Sequence, residues 1–192
     1  MRHKQPQLER LLIARTLAFA VGCAACLGCS GRSGRSSEKA PAGALEAAEL
    51  LARFEPSPGE VVDVMLNLAA PTSKDVVYDL GCGDGRIVIE AAKRFGARGV
   101  GLDIDPSLIA LARERAREAG VGHLVELRVE DVLKADVSPA TVVMLFLSPR
   151  GNAKLEERLR TQLRPGSRII SHCHPMEDWA PDKTIPVTAG GR

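Results

Sequence analysis

From residue 75 onward, short uninterrupted apolar runs alternate with amphipathic stretches. The pattern predicts a buried strand over Asp75–Leu80 and a helix over Arg86–Phe95, ended by Gly96. A second strand follows over Arg98–Asp103, then a helix over Pro106–Ala119 with its proline in the favoured first turn and Gly120 as its stop. Val125–Val129 and Thr141–Leu147 read as the third and fourth strands. Asn152–Leu163 reads as a helix halted by Pro165-Gly166, and Arg168–His172 as the fifth strand. Upstream, residues 44–54 and 59–69 carry apolar positions at helical spacing, separated by Pro56 and Pro58. Continuously apolar strands alternating with helices require a mostly parallel sheet covered on both faces, an α/β three-layer sandwich of Rossmann-like type. Ligands of such sheets bind beyond the carboxyl ends of the strands, which places the chemistry at residues 79–85, 103–105, 131 and 148–152.

The first 43 residues follow a different pattern. Residues 1–15 are polar and basic, and 16–28 are apolar, small and uncharged. Thirteen residues suit the apolar region of a signal peptide, whereas a span needs about 20. Cys26-Leu27-Gly28-Cys29 resembles a bacterial lipobox with Cys29 as the lipidated residue, although Cys26 stands where leucine is preferred. Residues 1–29 are therefore read as an export or anchor leader, 30–43 as a Ser/Gly/Arg-rich tether, and 44–192 as the domain. The excess of positive charge before the apolar run favours a membrane-anchored or exported body. A start codon placed too far upstream is the alternative, and the body is then cytoplasmic.

Charge changes the picture once the leader is set aside. The chain has 26 Lys/Arg and 24 Asp/Glu, but residues 1–36 hold six of the bases and one of the acids. The rest carries 20 bases against 23 acids, a net of −3, which lacks the basic footprint of a nucleic-acid binder. Only Cys82 and Cys173 lie outside the leader, too few for a disulfide framework. Aromatic residues make up 3% of the chain, so the core is aliphatic.

The strongest chemical signal is Asp79-Leu80-Gly81-Cys82-Gly83-Asp84-Gly85 at the end of the first strand. Glycines let the backbone turn sharply and approach a ligand, and the following helix N-terminus favours a carboxylate or phosphate. A dinucleotide turn would place a third glycine at 86, where Arg86 stands, so a nicotinamide oxidoreductase is disfavoured. The G-x-G-x-G spacing with an acid two residues ahead suits a nucleoside joined to methionine, S-adenosylmethionine. Asp79 is expected to hold the loop amides or to accept from the ligand's ammonium group. Asp103, 22 residues after Gly81, is placed to accept from both ribose hydroxyls, with Asp105 as a helix N-cap. Asp131 is a candidate for the adenine amino group, with Glu130 as its rival.

The acceptor side is less legible. Ser148-Pro149-Arg150-Gly151-Asn152 follows the fourth strand and faces the methyl acceptor in this architecture; read plainly, it is a turn with Asn152 capping a helix. It is not the Asn/Asp-Pro-Pro-Tyr run of base-modifying amino methyltransferases. Ser171-His172-Cys173-His174 through Asp182 follows the fifth strand. His174 and Asp178 are candidates for contacting the acceptor amine, and Trp179 for a pocket wall or plain core packing. No second ligand cluster accompanies them, so no metal is expected.

The run from Pro56 to Asp182 resembles class I S-adenosylmethionine-dependent methyltransferases. Within them it resembles the bacterial relatives of the mitochondrial lysine N-methyltransferases that modify the ATP synthase c-subunit and the adenine nucleotide translocase. The resemblance rests on Val77-Tyr78-Asp79-Leu80-Gly81-Cys82-Gly83-Asp84-Gly85-Arg86-Ile87-Val88-Ile89 and on His174-Pro175 with Trp179-Ala180-Pro181-Asp182. It implies a seven-stranded sheet, cofactor contacts from Asp79, Gly81, Gly83, Gly85, Asp103 and Asp131, and methyl transfer to a protein lysine. Family members run on into a final pair of strands, whereas Lys183–Arg192 is short, so a sheet-edge strand is expected to be missing. A small-molecule or lipid-headgroup acceptor, and a cofactor-binding module without catalysis, are the rival readings. A monomer is expected.

Overall fold

A computed structural model describes residues 7–15 and 55–189 of the chain. Seven strands, β1 (Gln7–Arg15), β2 (Val76–Leu80), β3 (Arg98–Asp103), β4 (Val125–Val129), β5 (Val142–Leu145), β6 (Arg168–His172) and β7 (Lys183–Ala189), form one sheet in the order β4-β3-β2-β5-β6-β1-β7. Strands β2 to β6 are mutually parallel. Helices α1 (Gly59–Ala69), α2 (Arg86–Phe95), α3 (Pro106–Glu118) and α4 (Pro149–Gln162) connect and cover them.

Alternation along the central strands sorts side chains onto two faces. Val77, Val142, Met144 and Ile170 pack under α1, with Val61, Val62, Met65 and Leu66. Tyr78, Leu80, Val143, Leu145 and Ile169 face the other way, against Leu155 and Leu159 of α4 and the segment around Val132–Ala140. A third cluster joins Val88, Ile89 and Ala92 of α2 to Ile109, Ala112 and Ala116 of α3. Each side chain so buried contributes about 1.5–3 kcal/mol of transfer free energy, and apart from Tyr78 the three clusters of buried side chains are aliphatic or sulfur-bearing.

Among the differences from the pattern-based expectation, two bear on the site and the sheet. The last helix begins at Pro149, not Asn152, because Ser148 caps it: its Oγ accepts from Gly151 N at 3.1 Å, with Pro149 at the first helical position. Asn152 is consequently one turn inside the helix and caps nothing. The sheet also lacks no strand among the described residues. β7 forms from Lys183–Ala189, and Gln7–Arg15, assigned by composition to the leader, pairs antiparallel with both β6 and β7. Leu11 lies opposite His172 on one side and Ile185 on the other. The apolar run 16–28, Cys29 and the tether 30–43 lie outside the described residues, as does the helix expected over 44–54. No described helix is long and apolar enough to cross a membrane.

Candidate active site

The turn after β2 is built by backbone. Gly81, Gly83 and Gly85 have φ of +88°, +53° and +76°, a region that L side chains rarely enter. Gly85 is doubly constrained: a Cβ there would lie 2.9 Å from Ala112 Cβ, so its absence lets α2 start against α3. Gly81 N and Cys82 N donate to Leu102 O, Gly85 N donates to Cys82 O, and Gly83 N donates to Asp103 Oδ2 at 2.8 Å. With these amides taken up, Asp79 does not hold the loop, which was one of the two roles expected of it.

Asp103 Oδ1 accepts from Asp105 N at 3.0 Å, and Asp105 in turn caps α3 by accepting from Ser107 N and Leu108 N. The ribose candidate and the glycine turn therefore share one edge of the sheet and touch. Asp79 is buried at 4% exposure. Burial, then the neighbouring Asp103 and Asp84 carboxylates, push its pKa up to about 8. The same burial and carboxylates push the Cys82 thiol far up, so it is inert as a nucleophile. Asp84 behaves oppositely. Burial raises it, but Arg86 and Arg115 more than offset this and hold it below the ordinary carboxylate range. Arg86 clasps it through Nε at 2.9 Å and Nη2 at 2.6 Å, and Arg115 completes the pairing.

Asp131 follows β4, the strand that pairs with β3. Its Oδ1 accepts from Leu133 N and its backbone carbonyl from Lys134 N, so it organises a turn and leaves Oδ2 near Lys134 Nζ at 3.5 Å. Glu130 N donates to Asp103 O, which brings this turn beside the ribose candidate.

The acceptor-side residues divide. Asn152 is fully buried, and its Nδ2 donates to Ser171 Oγ at 3.2 Å and His174 O at 2.8 Å, while its Oδ1 finds no partner. His174 N donates to His172 O, closing a tight bend in which Cys173 has φ +63°. Ser148, Asn152, Ser171 and His174 are thus brought together at the carboxyl ends of β5 and β6. Asp178 and Trp179 are not. Asp178 N donates to Glu156 Oε2 at 3.1 Å, and Arg160 lies over the Trp179 ring at 4.4 Å while donating to Asp178 O. Glu156 and Arg160 lie about 6–12 Å along α4 from Asn152. This docks Asp178 and Trp179 on the helix flank, with the Asp178 side chain exposed. Among the described residues no group of three or more metal-ligating side chains occurs.

Two further residues complete this edge, and only one of them carries a signal in the sequence. His172, the last residue of β6, has no exposed surface; its ring stacks on Phe146 with centroids 4.0 Å apart. Its Nδ1 lies 3.3 Å from Ser57 Oγ. The rule that ligands gather at carboxyl ends of strands points to position 172. Nothing points to Ser57, 115 positions away.

The chain matches the ANTKMT methyltransferase domain over residues 79–183. A protein-lysine N-methyltransferase of Saccharolobus islandicus (strain REY15A) is 38% identical over 138 residues, 71% of this chain and 86% of that protein. An ATP synthase C-subunit lysine N-methyltransferase of Xenopus laevis is 37% identical over 123 residues, 64% of this chain and 53% of that protein, so the chain spans about half of that relative. A solved structure described as an RNA methyltransferase from Salinibacter ruber in complex with S-adenosyl-L-homocysteine is 49% identical, with a TM-score of 0.67 over 72% of this chain and 95% of that one. The chain belongs to the ANTKMT methyltransferase domain family of S-adenosylmethionine-dependent protein-lysine N-methyltransferases and has their class I, Rossmann-like fold.

Proposed function

We propose that this chain methylates a lysine ε-amine on a protein, with the cofactor held by Asp79, Gly81, Gly83, Gly85, Asp103 and Asp131. The observation that carries the cofactor half is the 2.8 Å bond from Gly83 N to Asp103 Oδ2, which joins the glycine-rich turn to the candidate ribose acid. Both Asp103 oxygens keep lone pairs for two ribose hydroxyls. Asp79, with the loop amides engaged elsewhere, is a buried acid suited to a ligand cation. When bound, S-adenosylmethionine supplies a methyl group already activated on a sulfonium. The protein's part is alignment and desolvation. The lysine must lose its proton from an ordinary pKa of about 10.4, which the desolvated edge formed by Asn152, Ser171 and His174 favours. His174 is the acceptor-side group on that edge, with Ser148 beside it. Asp178 and Trp179, on the α4 flank, suit a contact with the body of a protein substrate.

The names of the relatives support a protein acceptor, and the net charge of −3 after residue 36 disfavours phosphate backbones. The Salinibacter ruber likeness favours RNA as the second reading. Tritium transfer from labelled cofactor into separated protein, RNA and lipid fractions decides. Label in lysine-bearing protein, abolished by Asp103→Ala, is expected; label confined to RNA or lipid refutes the lysine assignment. Calorimetry with S-adenosylhomocysteine tests the cofactor site separately, and label withheld from every fraction despite tight binding points to a module without catalysis.

Lipidation at Cys29 and membrane association through residues 1–29 are the corresponding proposal for the leader. Removal of a signal peptide before Cys29 also removes Gln7–Arg15, so lipidation and the β1 pairing exclude each other. Intact mass of the mature chain separates them: a chain starting at a palmitate-labelled Cys29 supports the anchor, and one retaining residues 7–15 supports the strand.

A further inference from the structure

Ser57 sits in Glu55-Pro56-Ser57-Pro58, just ahead of α1. Pro56 and Pro58 each lock their own φ, and a residue preceding proline is pushed to extended backbone, so Ser57 is held in a stiff, extended strap. It is buried at 5% exposure, although Glu55 and Pro56 before it are exposed. Its two polar groups reach in different directions. The carbonyl accepts from Arg86 Nη1 at 2.7 Å, at the start of the helix behind the glycine turn. The hydroxyl meets His172 Nδ1 at 3.3 Å, at the carboxyl end of β6. β5 lies between β2 and β6 in the sheet, so the strap crosses over the carboxyl end of β5, where Phe146 stacks on His172. The Arg86 guanidinium is itself clasped by Asp84, so an unbroken polar chain runs Asp84, Arg86, Ser57, His172.

We propose that Ser57 is a positioning residue that ties the cofactor turn to the acceptor wall, acting through His172 and setting the bend 172–174 that carries His174. The inference rests on the methyltransferase reading but not on the acceptor's being a protein. The two links are separable, because the Arg86 link uses the backbone and survives side-chain replacement, whereas the His172 link needs the hydroxyl. Loss of the hydroxyl should therefore disturb transfer and spare cofactor binding.

The experiment compares Ser57→Ala, Ser57→Thr, His172→Phe and the Ser57→Ala/His172→Phe double variant in the full chain. His172→Phe keeps a ring to stack on Phe146 but has no nitrogen for Ser57. Three readouts are taken: the S-adenosylhomocysteine dissociation constant, kcat and KM on whichever fraction wild type labels, and the His172 ring-nitrogen resonances of ligand-free protein. Ser57→Ala is expected to lower kcat roughly tenfold, the loss of about one hydrogen bond's alignment. Its dissociation constant should stay within about twofold of wild type, its His172 resonances should shift, and Ser57→Thr should restore all three. The double variant should be no slower than His172→Phe alone. Additive losses in the double variant, an unshifted His172 signal, or parallel loss of cofactor affinity overturns the proposal. Label in RNA instead of protein defeats the lysine assignment and leaves this one standing.

Discussion

The proposed cofactor side and the proposed acceptor side of this sheet edge are built by different means. On the cofactor side, residues 79–105 lie in two adjacent βα units, and most contacts are between backbone groups or between a backbone amide and Asp103. On the acceptor side, Ser57, Asn152, Ser171, His172 and His174 come from three distant stretches and meet through side chains. A turn of glycines tolerates little change because its left-handed backbone and the close approach of Ala112 leave no room for side chains. A side-chain assembly can be re-cut for another acceptor while the cofactor turn stays as it is.

The largest effect that would sharpen this contrast is at Asp79. Asp79→Asn should weaken S-adenosylhomocysteine binding by about a hundredfold, since it removes the buried acid offered to the ligand's cation. The same group makes stability depend on pH. Its folded pKa of about 8 stands above its ordinary 3.8, so the folded chain retains a proton that the unfolded chain has lost. The stability contributed by neutral Asp79 is whole below about 3.8, declines as pH rises and is gone above about 8. Ligand-free Asp79→Asn should therefore lose less melting temperature than wild type between pH 5 and 9. Cofactor affinity of wild type should rise with pH toward about 8 as the site's proton is released, measurable as buffer-dependent binding heat. Identical heats in buffers of unlike ionisation enthalpy would remove Asp79 from the cation site.

Gly85→Ala comes next. It combines a left-handed backbone with a Cβ 2.9 Å from Ala112 Cβ, and should cost about 2–4 kcal/mol in urea unfolding. A cost under about 1 kcal/mol would show that α2 and α3 yield more readily than their packing implies. On the acceptor side, Asn152→Ala loses two buried hydrogen bonds but also deletes an acceptor buried without a partner. The two effects oppose, giving a net of about 1–2 kcal/mol, with methyl transfer more affected than S-adenosylhomocysteine binding. Equal loss of both activities would mean that the two sides are not separable. Smallest at the site is Arg160→Ala, which removes the cation over Trp179, the pair with buried Glu156 and the bond to Asp178 O; it is expected to lower stability by about 1–2 kcal/mol and to leave cofactor binding unchanged.

Most of the cofactor side is legible in the sequence because its signal is local. A glycine at +88° or +76° announces itself as a glycine, and an acid at the end of the next strand follows from the parallel crossover. The acceptor side is legible only as a neighbourhood. Ser148 and Asn152 both read as pocket residues, with Asn152 as a helix cap on the plainer reading; Ser148 is the cap, and Asn152 is a buried clamp on 171–174. Asp178 groups with the pocket by sequence and Trp179 with the pocket or the core, yet Glu156 and Arg160 hold them to the flank of α4, where Trp179 packs against the core. A run of residues carries no record of which helix face it will meet.

The sequence alone determined the parallel αβ order and the glycine turn, with an acid at 103 close behind, because apolar periodicity and backbone permissiveness act over a few residues at a time; the methyltransferase class came from the resemblance of the 77–89 and 174–182 motifs to a known family. Only the tertiary structure decided that Asp79 is buried among carboxylates, that Ser57 reaches both Arg86 and His172, and that Gln7–Arg15 lies between β6 and β7. Those outcomes depend on desolvation and on contacts between residues on different elements of the fold. They exist only after the chain has closed on itself.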